Sequence, residues 1–256
     1  MRHQEWFPRL VGLVLAWLLS GAAAWAEDLK GLQIDGEKFR FADGSLSFDG
    51  ILVKPKGKGP FPAVLISHGL GGNAERFGGQ KAREFVKWGF VCIAPEYTHA
   101  NPRGDRQTFG ASAENLRRAR KCLDILQSLP EVDGKRLCAY GNSMGAFLTI
   151  GLAATEPQRL KAAAITAGGI TPVGGYAAPS KDQAARIKTP FLILHGSKDT
   201  TVPPERSALL ATVLKDNKVE HERHVYEGVE HNLHNVKARE VNAKIEAWFR
   251  KFAGGK

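Results

Sequence analysis

Leu137-Cys138-Ala139-Tyr140-Gly141-Asn142-Ser143-Met144-Gly145 is the most informative segment of this chain. An apolar run leads into the pattern G-x-S-x-G, and Ala/Leu-rich residues 146–154 follow it. This order predicts a strand, a tight turn and a helix, which is the arrangement of a nucleophile elbow. Gly141 and Gly145 would remove collisions at such a strained turn, and the new helix would aim free N–H groups at a developing oxyanion. A glycine-rich strand end that contains a serine by chance is the alternative.

Buried strands and helices alternate on both sides of this segment, which predicts right-handed crossovers and one mostly parallel sheet with helices on both faces. The predicted strands besides the elbow strand are 63–67, 90–94, 162–166, 191–195 and 221–226, and the predicted helices are 74–88, 112–129, 146–154, 203–214 and 236–252. Runs 38–41 and 46–53 around Asp43-Gly44 predict a hairpin, and hence an antiparallel N-terminal edge. No repeat or linker interrupts the pattern, so we expect one α/β domain over residues 27–256.

The first 26 residues have the pattern of a cleaved signal peptide. Arg2 and Arg9 form a basic region, residues 10–19 are almost wholly apolar, and Ala24-Trp25-Ala26 places small residues where a signal peptidase cleaves. Cleavage after Ala26 would leave an exported chain, periplasmic or secreted, without stable membrane insertion. An uncleaved anchor is the alternative, although the apolar run is shorter than the ~20 residues that a spanning helix needs.

The composition favours a solvated basic surface over a nucleic-acid partner. The 256 residues have a formal net charge of +10, but the Lys and Arg residues are scattered and no nucleic-acid motif accompanies them. Cys92, Cys122 and Cys138 form neither a C-x-x-C pair nor a metal-ligand spacing, so no metal or cofactor is implied. We expect these cysteines to be buried and unpaired, with one disulfide as the alternative in an exported chain.

A serine nucleophile needs a base, and the base needs an acid that orients it. In a parallel α/β sheet these partners follow the carboxyl ends of later strands, in the order serine, acid, histidine. Asp199 follows the predicted strand 191–195 and is the candidate acid, with a helix cap as its alternative role. His231 lies between the last strand and the last helix and is the candidate base, with His234 as its rival. The other histidines, apart from His68, are expected at ordinary surface or loop positions.

An oxyanion hole needs two backbone N–H donors beside the nucleophile. Met144 directly follows the serine, and its N–H is the first candidate. The loop after strand 63–67 has the sequence His68-Gly69-Leu70-Gly71-Gly72, and its glycines let the backbone turn amides towards a substrate. We expect the Leu70 N–H to be the second donor, and His68 to brace the loop rather than to transfer protons.

Two further segments are candidates to line the pocket. The loop 96–111 offers Tyr97, His99, Arg103 and Arg106, and the two arginines could bind a substrate carboxylate, with a solvated loop as the alternative. Residues 170–188 form the only insertion over the site, and they carry less apolar cover than a lipase lid.

These motifs together resemble the α/β-hydrolase superfamily. They are His68-Gly69, Gly141-x-Ser143-x-Gly145, Asp199-x-x-Val202-Pro203 and His231, and the similarity extends over nearly all of 39–252. The phrase around Asp199 looks most like the dienelactone hydrolase branch. Members proper of that branch carry a cysteine nucleophile and commonly a double glycine where this chain has Ser143 and Gly145-Ala146. The serine therefore points to a general serine esterase rather than to a lactone-specific enzyme.

The sequence thus predicts an exported serine hydrolase that cleaves carboxylic esters or lactones through an acyl-enzyme intermediate. Its predicted partner is a small-molecule substrate, with no cofactor and no nucleic acid. A peptidase or acyltransferase of the same fold is one alternative, because the same catalytic residues serve any acyl transfer. A non-catalytic binding protein of the cell envelope is the other.

Overall fold

The computed structural model describes residues 29–171 and 175–254, so the predicted signal peptide lies outside the described residues. Within them, nine strands form one sheet in the order β1-β2-β3-β5-β4-β6-β7-β8-β9. The strands are β1 (Leu32–Asp35), β2 (Lys38–Asp43), β3 (Leu46–Val53), β4 (Phe61–Ser67), β5 (Val91–Pro95), β6 (Val132–Asn142), β7 (Ala162–Thr166), β8 (Phe191–Gly196) and β9 (His221–Tyr226). Strands β1 to β3 form an antiparallel meander, β3 pairs antiparallel with β5, and β4 to β9 are mutually parallel.

Helices cover both faces of this sheet. They are α1 (Gly79–Phe85), which continues a π-helical turn (Ala74–Gly78), α2 (Ala113–Ser128), α3 (Met144–Thr155), α4 (Lys181–Ala184), α5 (Glu205–Asp216), α6 (Leu233–Val236) and α7 (Ala238–Ala253). Helices α2 to α5 pack on one face, where Leu123, Leu148 and Leu210 belong to one apolar cluster. Helices α1 and α7 pack on the other face, where Phe85 and Phe249 belong to a second cluster. The predicted α/β fold is therefore confirmed, including its antiparallel N-terminal edge.

Most of the predicted elements agree with the structure within a few residues, but the prediction missed one strand. β1 has only four residues, three of which are exposed, and it pairs antiparallel with β2 from Leu32↔Phe41 to Asp35↔Lys38. A strand this short and solvated lacks the apolar run by which the others were recognised. The closing helix, predicted over 236–252, consists of the short helix α6 and the longer α7.

The cysteine prediction is confirmed, since Cys92 on β5, Cys122 on α2 and Cys138 on β6 are buried and free. No helix within residues 29–171 and 175–254 is both long and apolar enough to cross a bilayer. The loops that follow β4, β6 and β8 emerge at the same edge of the sheet, because these strands are parallel. This edge is where α/β sheets bind ligands.

Candidate active site

Ser143 occupies a strained turn between β6 and α3. Its φ of 55° and ψ of −117° are unfavourable for a residue with a side chain, as a nucleophile elbow requires. A Cβ on Gly141 would collide with the carbonyl oxygen of Gly145. A Cβ on Gly145 would collide with the end of β4 at Ser67. The two glycines of the pentapeptide are therefore required by close backbone contacts, as the spacing predicts.

The structure brings the three predicted side chains together. His231 Nε2 lies 2.9 Å from Ser143 Oγ, and His231 Nδ1 lies 2.8 Å from Asp199 Oδ2 and 3.0 Å from Oδ1. A carboxylate can only accept, so Nδ1 carries the proton and Nε2 is left to accept from the serine hydroxyl. This arrangement suits proton transfer from Ser143 to His231.

Asp199 is held as a buried carboxylate. Its Oδ1 accepts the N–H groups of Thr201 at 3.0 Å and Val202 at 2.9 Å, and its Oδ2 accepts from His195 at 3.1 Å. Burial by itself raises the pKa of Asp199, but the hydrogen bonds from His195, His231 and the Val202 N–H outweigh it and hold the pKa well below its usual range. The alternative of a helix cap does not apply, because α5 has no side-chain cap.

The expectation for His195 is wrong. This residue is no surface histidine but lies fully buried near the end of β8. Its Nε2 faces two acceptors, Asp199 Oδ2 at 3.1 Å and Val202 O at 2.9 Å, so Nε2 carries the proton and donates to both. The signal that could have found it is its position, four residues before Asp199 at the carboxyl end of an apolar strand.

Residues 68–72, which we call the oxyanion loop, are held in place by two more buried histidines, His68 of the loop itself and His99. His68 Nδ1 donates to Gly69 O at 2.9 Å, while its Nε2 accepts the Tyr97 N–H at 3.2 Å. His99 Nε2 donates to His68 O at 2.9 Å, and its Nδ1 accepts from Asn115 Nδ2 at 3.2 Å. Burial lowers the pKa of His68 to about 4, and burial together with the neighbouring His68 lowers the pKa of His99 to about 3. Both rings are therefore uncharged at pH 7, and they hold the loop in place through hydrogen bonds.

The structure does not support two possibilities that the sequence left open for the loop 96–111. Tyr97 and His99 do not line the pocket, because both are almost completely buried beneath the oxyanion loop. Arg103 and Arg106 are also absent from the described residues that line the cavity at Ser143, and the Arg106 guanidinium lies 5.7 Å from the centre of the Tyr176 ring. A carboxylate site on these two arginines therefore has no support in the described geometry.

The two predicted oxyanion donors flank Ser143. Met144 begins α3, where its N–H has no intrahelical acceptor, and the Leu70 N–H lies in the oxyanion loop. Within the described part of the chain neither amide has a hydrogen-bond partner. The loop lies directly against the nucleophile, since a Cβ on Gly69 would stand 3.1 Å from Ser143 Cβ. Both amides thus lack partners in the described residues, which is consistent with the predicted role.

A cavity of about 190 Å³ opens at Ser143. Its described lining residues are Gly69, Leu70, Gly72, Phe77, Asn142, Ser143, His231, Asn232 and His234. Larger cavities of about 380 and 1060 Å³ lie by strands β1 to β3 and near Pro60 and Pro130, and neither contains a predicted site residue. The smaller cavity is therefore the candidate substrate site, because it alone of these holds the reactive groups.

His234 lines this cavity but does not join the hydrogen-bonded chain. Its ring packs edge-on against Phe77, with centroids 5.4 Å apart, and its Nδ1 is buried without a partner in the described residues. Burial, with added effects of Lys81 and His231, lowers the pKa of His234 to about 4. Of the two rival histidines, His231 is the one between Ser143 and Asp199.

In residues 29–171 and 175–254, no group of three or more His, Cys, Asp or Glu side chains could hold a metal ion.

The parallel sheet, the strained serine after β6 and the histidine and aspartate after later strands define an enzyme of the α/β-hydrolase fold. Residues 48–253 match the model of the dienelactone hydrolase family. The chain belongs to this family.

Comparisons with individual proteins agree with this class. The chain is 31% identical over 121 residues to Esterase FrsA of Shigella boydii, covering 47% of this chain and 28% of that protein. It is 26% identical over 260 residues to the uncharacterized peptidase YuxL of Bacillus subtilis, covering 83% of this chain and 38% of that protein. The matches thus cover about a third of the length of these curated relatives.

Solved structures show the same fold at low identity. A putative dienelactone hydrolase from Klebsiella pneumoniae superposes with a TM-score of 0.65 at 22% identity, covering 80% of this chain and 94% of that one. The acylaminoacyl peptidase of Pyrococcus horikoshii superposes with a TM-score of 0.69 at 17% identity, covering 91% of this chain and 44% of that one. These similarities establish the architecture alone.

Proposed function

We propose that this chain hydrolyses small carboxylic esters or lactones through an acyl-enzyme intermediate on Ser143. One observation carries the proposal: His231 lies within 2.9 Å of Ser143 Oγ through Nε2 and within 2.8 Å of Asp199 through Nδ1. An imidazole in that position can take the hydroxyl proton while the carboxylate stabilises the resulting cation. Membership of a hydrolase family supports the same reaction class.

In the acylation step, Ser143 Oγ attacks the carbonyl carbon as its proton moves to His231 Nε2. The electron pair of the carbonyl π bond moves to oxygen, where the free N–H groups of Leu70 and Met144 stabilise the negative charge. The tetrahedral intermediate then reforms the carbonyl and breaks the bond to the alcohol oxygen. His231 returns its proton to that oxygen, and the alcohol of an ester leaves, whereas the hydroxyl formed from a lactone stays attached to the acyl group.

Deacylation repeats these steps with water. His231 Nε2 takes a proton from a water molecule, the resulting hydroxide attacks the acyl carbon, and the same two amides stabilise the oxyanion. Collapse of the intermediate breaks the bond to Ser143 Oγ, which recovers its proton from His231. Asp199 keeps its charge throughout, because its hydrogen bonds hold its pKa well below neutral pH.

Peptide hydrolysis is the second candidate activity. It is favoured by the match to a Bacillus subtilis protein described as a peptidase, which extends over 83% of this chain. That match covers only 38% of the relative, so it does not extend to the rest of that protein. Activity on an aminoacyl p-nitroanilide, measured beside an ester and a lactone, separates the two candidates.

Covalent labelling tests the proposed nucleophile. An active-site fluorophosphonate should add once to the protein, and peptide mapping should locate the adduct on Ser143. The variant Ser143→Ala should neither be labelled nor hydrolyse p-nitrophenyl acetate, whereas Ser128→Ala, on the surface of α2, should do both. Labelling at a different serine, or full activity in Ser143→Ala, would contradict the mechanism.

We also propose that the enzyme is exported to the periplasm or the medium. The support is the basic, apolar and small-residue pattern of residues 1–26, which the described structure does not include. Protein recovered from the envelope or medium should begin at Glu27. A membrane-bound chain that still begins at Met1 would show an anchor instead.

A further inference from the structure

Asn142 carries a polar group that the mechanism above does not use. It ends β6 directly before Ser143 and forms part of the wall of the cavity at the nucleophile. The residue is 6% exposed, and within the described residues its amide nitrogen Nδ2 has no hydrogen-bond acceptor. Because this nitrogen still reaches the cavity, water can satisfy it in the free protein, and a substrate that displaces that water must supply another acceptor or leave the donor unpaired.

A chain of hydroxyl groups determines which end of the amide faces the cavity. Thr166 Oγ1 lies 2.8 Å from Asn142 Oδ1, and Tyr140 Oη lies 2.9 Å from Thr166 Oγ1. In the described residues Tyr140 has no other hydroxyl partner, so it must donate its proton to Thr166. Thr166 then donates to Asn142 Oδ1, which leaves Nδ2 for the cavity. Burial raises the pKa of Tyr140, so the phenol keeps the proton on which this order depends.

The free amide nitrogen lies close to the reacting atoms. A Cβ on Gly69 would stand 3.4 Å from Asn142 Nδ2 and 3.1 Å from Ser143 Cβ, so both groups border the same residue of the oxyanion loop. None of the described lining residues of this cavity is an Asp or Glu, and Leu70 and Phe77 form its apolar part. A molecule that binds in the cavity can therefore supply the acceptor for Nδ2.

We propose that Asn142 Nδ2 determines specificity, by donating a hydrogen bond to a second oxygen of the substrate, two bonds from the scissile carbonyl carbon on the acyl side. The preferred substrates are then esters of α-hydroxy, α-alkoxy or α-keto acids. A plain alkyl acyl group would leave the donor desolvated and unpaired. The proposal rests on the proposed function, because it takes Ser143 as the nucleophile.

Two p-nitrophenyl esters test this specificity. Methoxyacetate and butyrate have acyl groups of the same length and differ by an ether oxygen in place of a methylene. The quantity measured is the ratio of their kcat/KM values, and comparing this ratio between wild type and variant cancels their intrinsic reactivities. We expect Asn142→Leu to shift the ratio about tenfold away from methoxyacetate, the cost of one lost hydrogen bond to a desolvated donor.

Two threonine variants provide a matched comparison. Thr166→Val removes the hydroxyl that orients the amide and should shift the ratio in the same direction. Thr189→Val changes another buried threonine, whose Oγ1 has no partner in the described residues, and should keep the wild-type ratio. Equal shifts in the two valine variants would contradict the role of the hydroxyl chain.

The variant Asn142→Asp keeps the test valid if Asn142→Leu does not fold. It retains an acceptor for Thr166 but places a second carboxylate oxygen where Nδ2 was, so it should disfavour methoxyacetate at least as strongly. A ratio within about twofold of wild type in the folded Asn142 variants overturns the proposal, whether or not both rates fall together. Failure of fluorophosphonate to label Ser143 in the wild type would instead contradict the proposed function, so the two failures are distinguishable.

Discussion

His231 and His234 are three residues apart, yet their surroundings differ. His231 makes hydrogen bonds at both ring nitrogens, to Ser143 and to Asp199. His234 packs against Phe77, and its lowered pKa keeps its ring neutral. One histidine is therefore placed to move a proton, and the other forms part of the cavity wall.

This difference predicts unequal effects of mutation. His231→Ala should remain folded and lose at least about a thousandfold in kcat, as expected for loss of the general base. His234→Ala should lose less than about tenfold, since it removes packing beside the site. Steady-state kinetics on p-nitrophenyl acetate, with circular dichroism as the folding control, measures both. The reverse order of effects would make His234 the base.

His195 should act on the reaction through Asp199. His195→Leu removes a donor to the carboxylate and should lower kcat roughly tenfold with little change in KM, because a hydrogen bond to a charged group is lost. His195→Gln can still donate and should recover most of that activity. If both variants unfold at the same denaturant concentration but have equal kcat, the histidine is only a packing residue.

At the scale of single elements, the oxyanion loop depends on a buried polar network rather than on regular secondary structure. His68 and His99 connect the loop after β4 to the loop after β5, and Asn115 connects both to the start of α2. The network holds the peptide groups around Leu70, which have no strand or helix partners. Protonation of either ring would break it, because each uses one ring nitrogen as an acceptor.

The free energy of unfolding should consequently fall as the pH decreases from about 6.5 towards 4. Below pH 6.5 the unfolded chain protonates these histidines, whereas in the folded chain their pKa values are lowered to about 4 for His68 and about 3 for His99. Each ring then adds a slope of up to about 1.4 kcal/mol per pH unit, and stability is retained above pH 6.5. Urea unfolding at several pH values measures the slope.

Variants of single histidines identify the source of this slope. His99→Gln should reduce the slope of the unfolding free energy against pH, because about one proton fewer is taken up on unfolding when one of the buried rings is removed. Thr189→Val, a buried substitution that removes no titratable group, is the control and should keep the wild-type slope. Identical slopes in His99→Gln and wild type would refute the assignment.

At the scale of the whole molecule, the reactivity of the cysteine thiols tests whether the core is packed as the structure describes. Burial raises the pKa of Cys92, Cys122 and Cys138, and the three side chains lie on different elements with no disulfide between them. Ellman's reagent should therefore find no reactive thiol in the native protein and three after unfolding without reductant. A count of one would indicate a disulfide in the mature chain.

The open cavity predicts a preference for short acyl groups. Its volume of about 190 Å³ and the few apolar side chains around it leave little surface on which a long chain could be buried. An extra methylene gains at most ~0.8 kcal/mol even when fully buried, so acetate and butyrate esters should have higher kcat/KM values than laurate esters. A p-nitrophenyl ester series measures this, and faster hydrolysis of laurate would contradict it.

Local patterns were sufficient for much of the architecture. Apolar runs predicted the buried strands, and the strained turn at Ser143 was evident because a glycine lies two positions before it and another two positions after it. Such features depend on neighbours within a few positions, so a single sequence contains them. The short, solvated strand β1 has no such pattern and was missed.

Long-range contacts were decided by the tertiary structure. His231 contacts Ser143 across 88 positions and Asp199 across 32, and the burial of His195 and His99 depends on which loops meet at the sheet edge. The same holds for the orientation of the Asn142 amide, which a hydroxyl on the neighbouring strand determines. Sequence identifies the residue types that can perform the chemistry, whereas burial and hydrogen-bond partners arise only when parallel strands bring distant loops together.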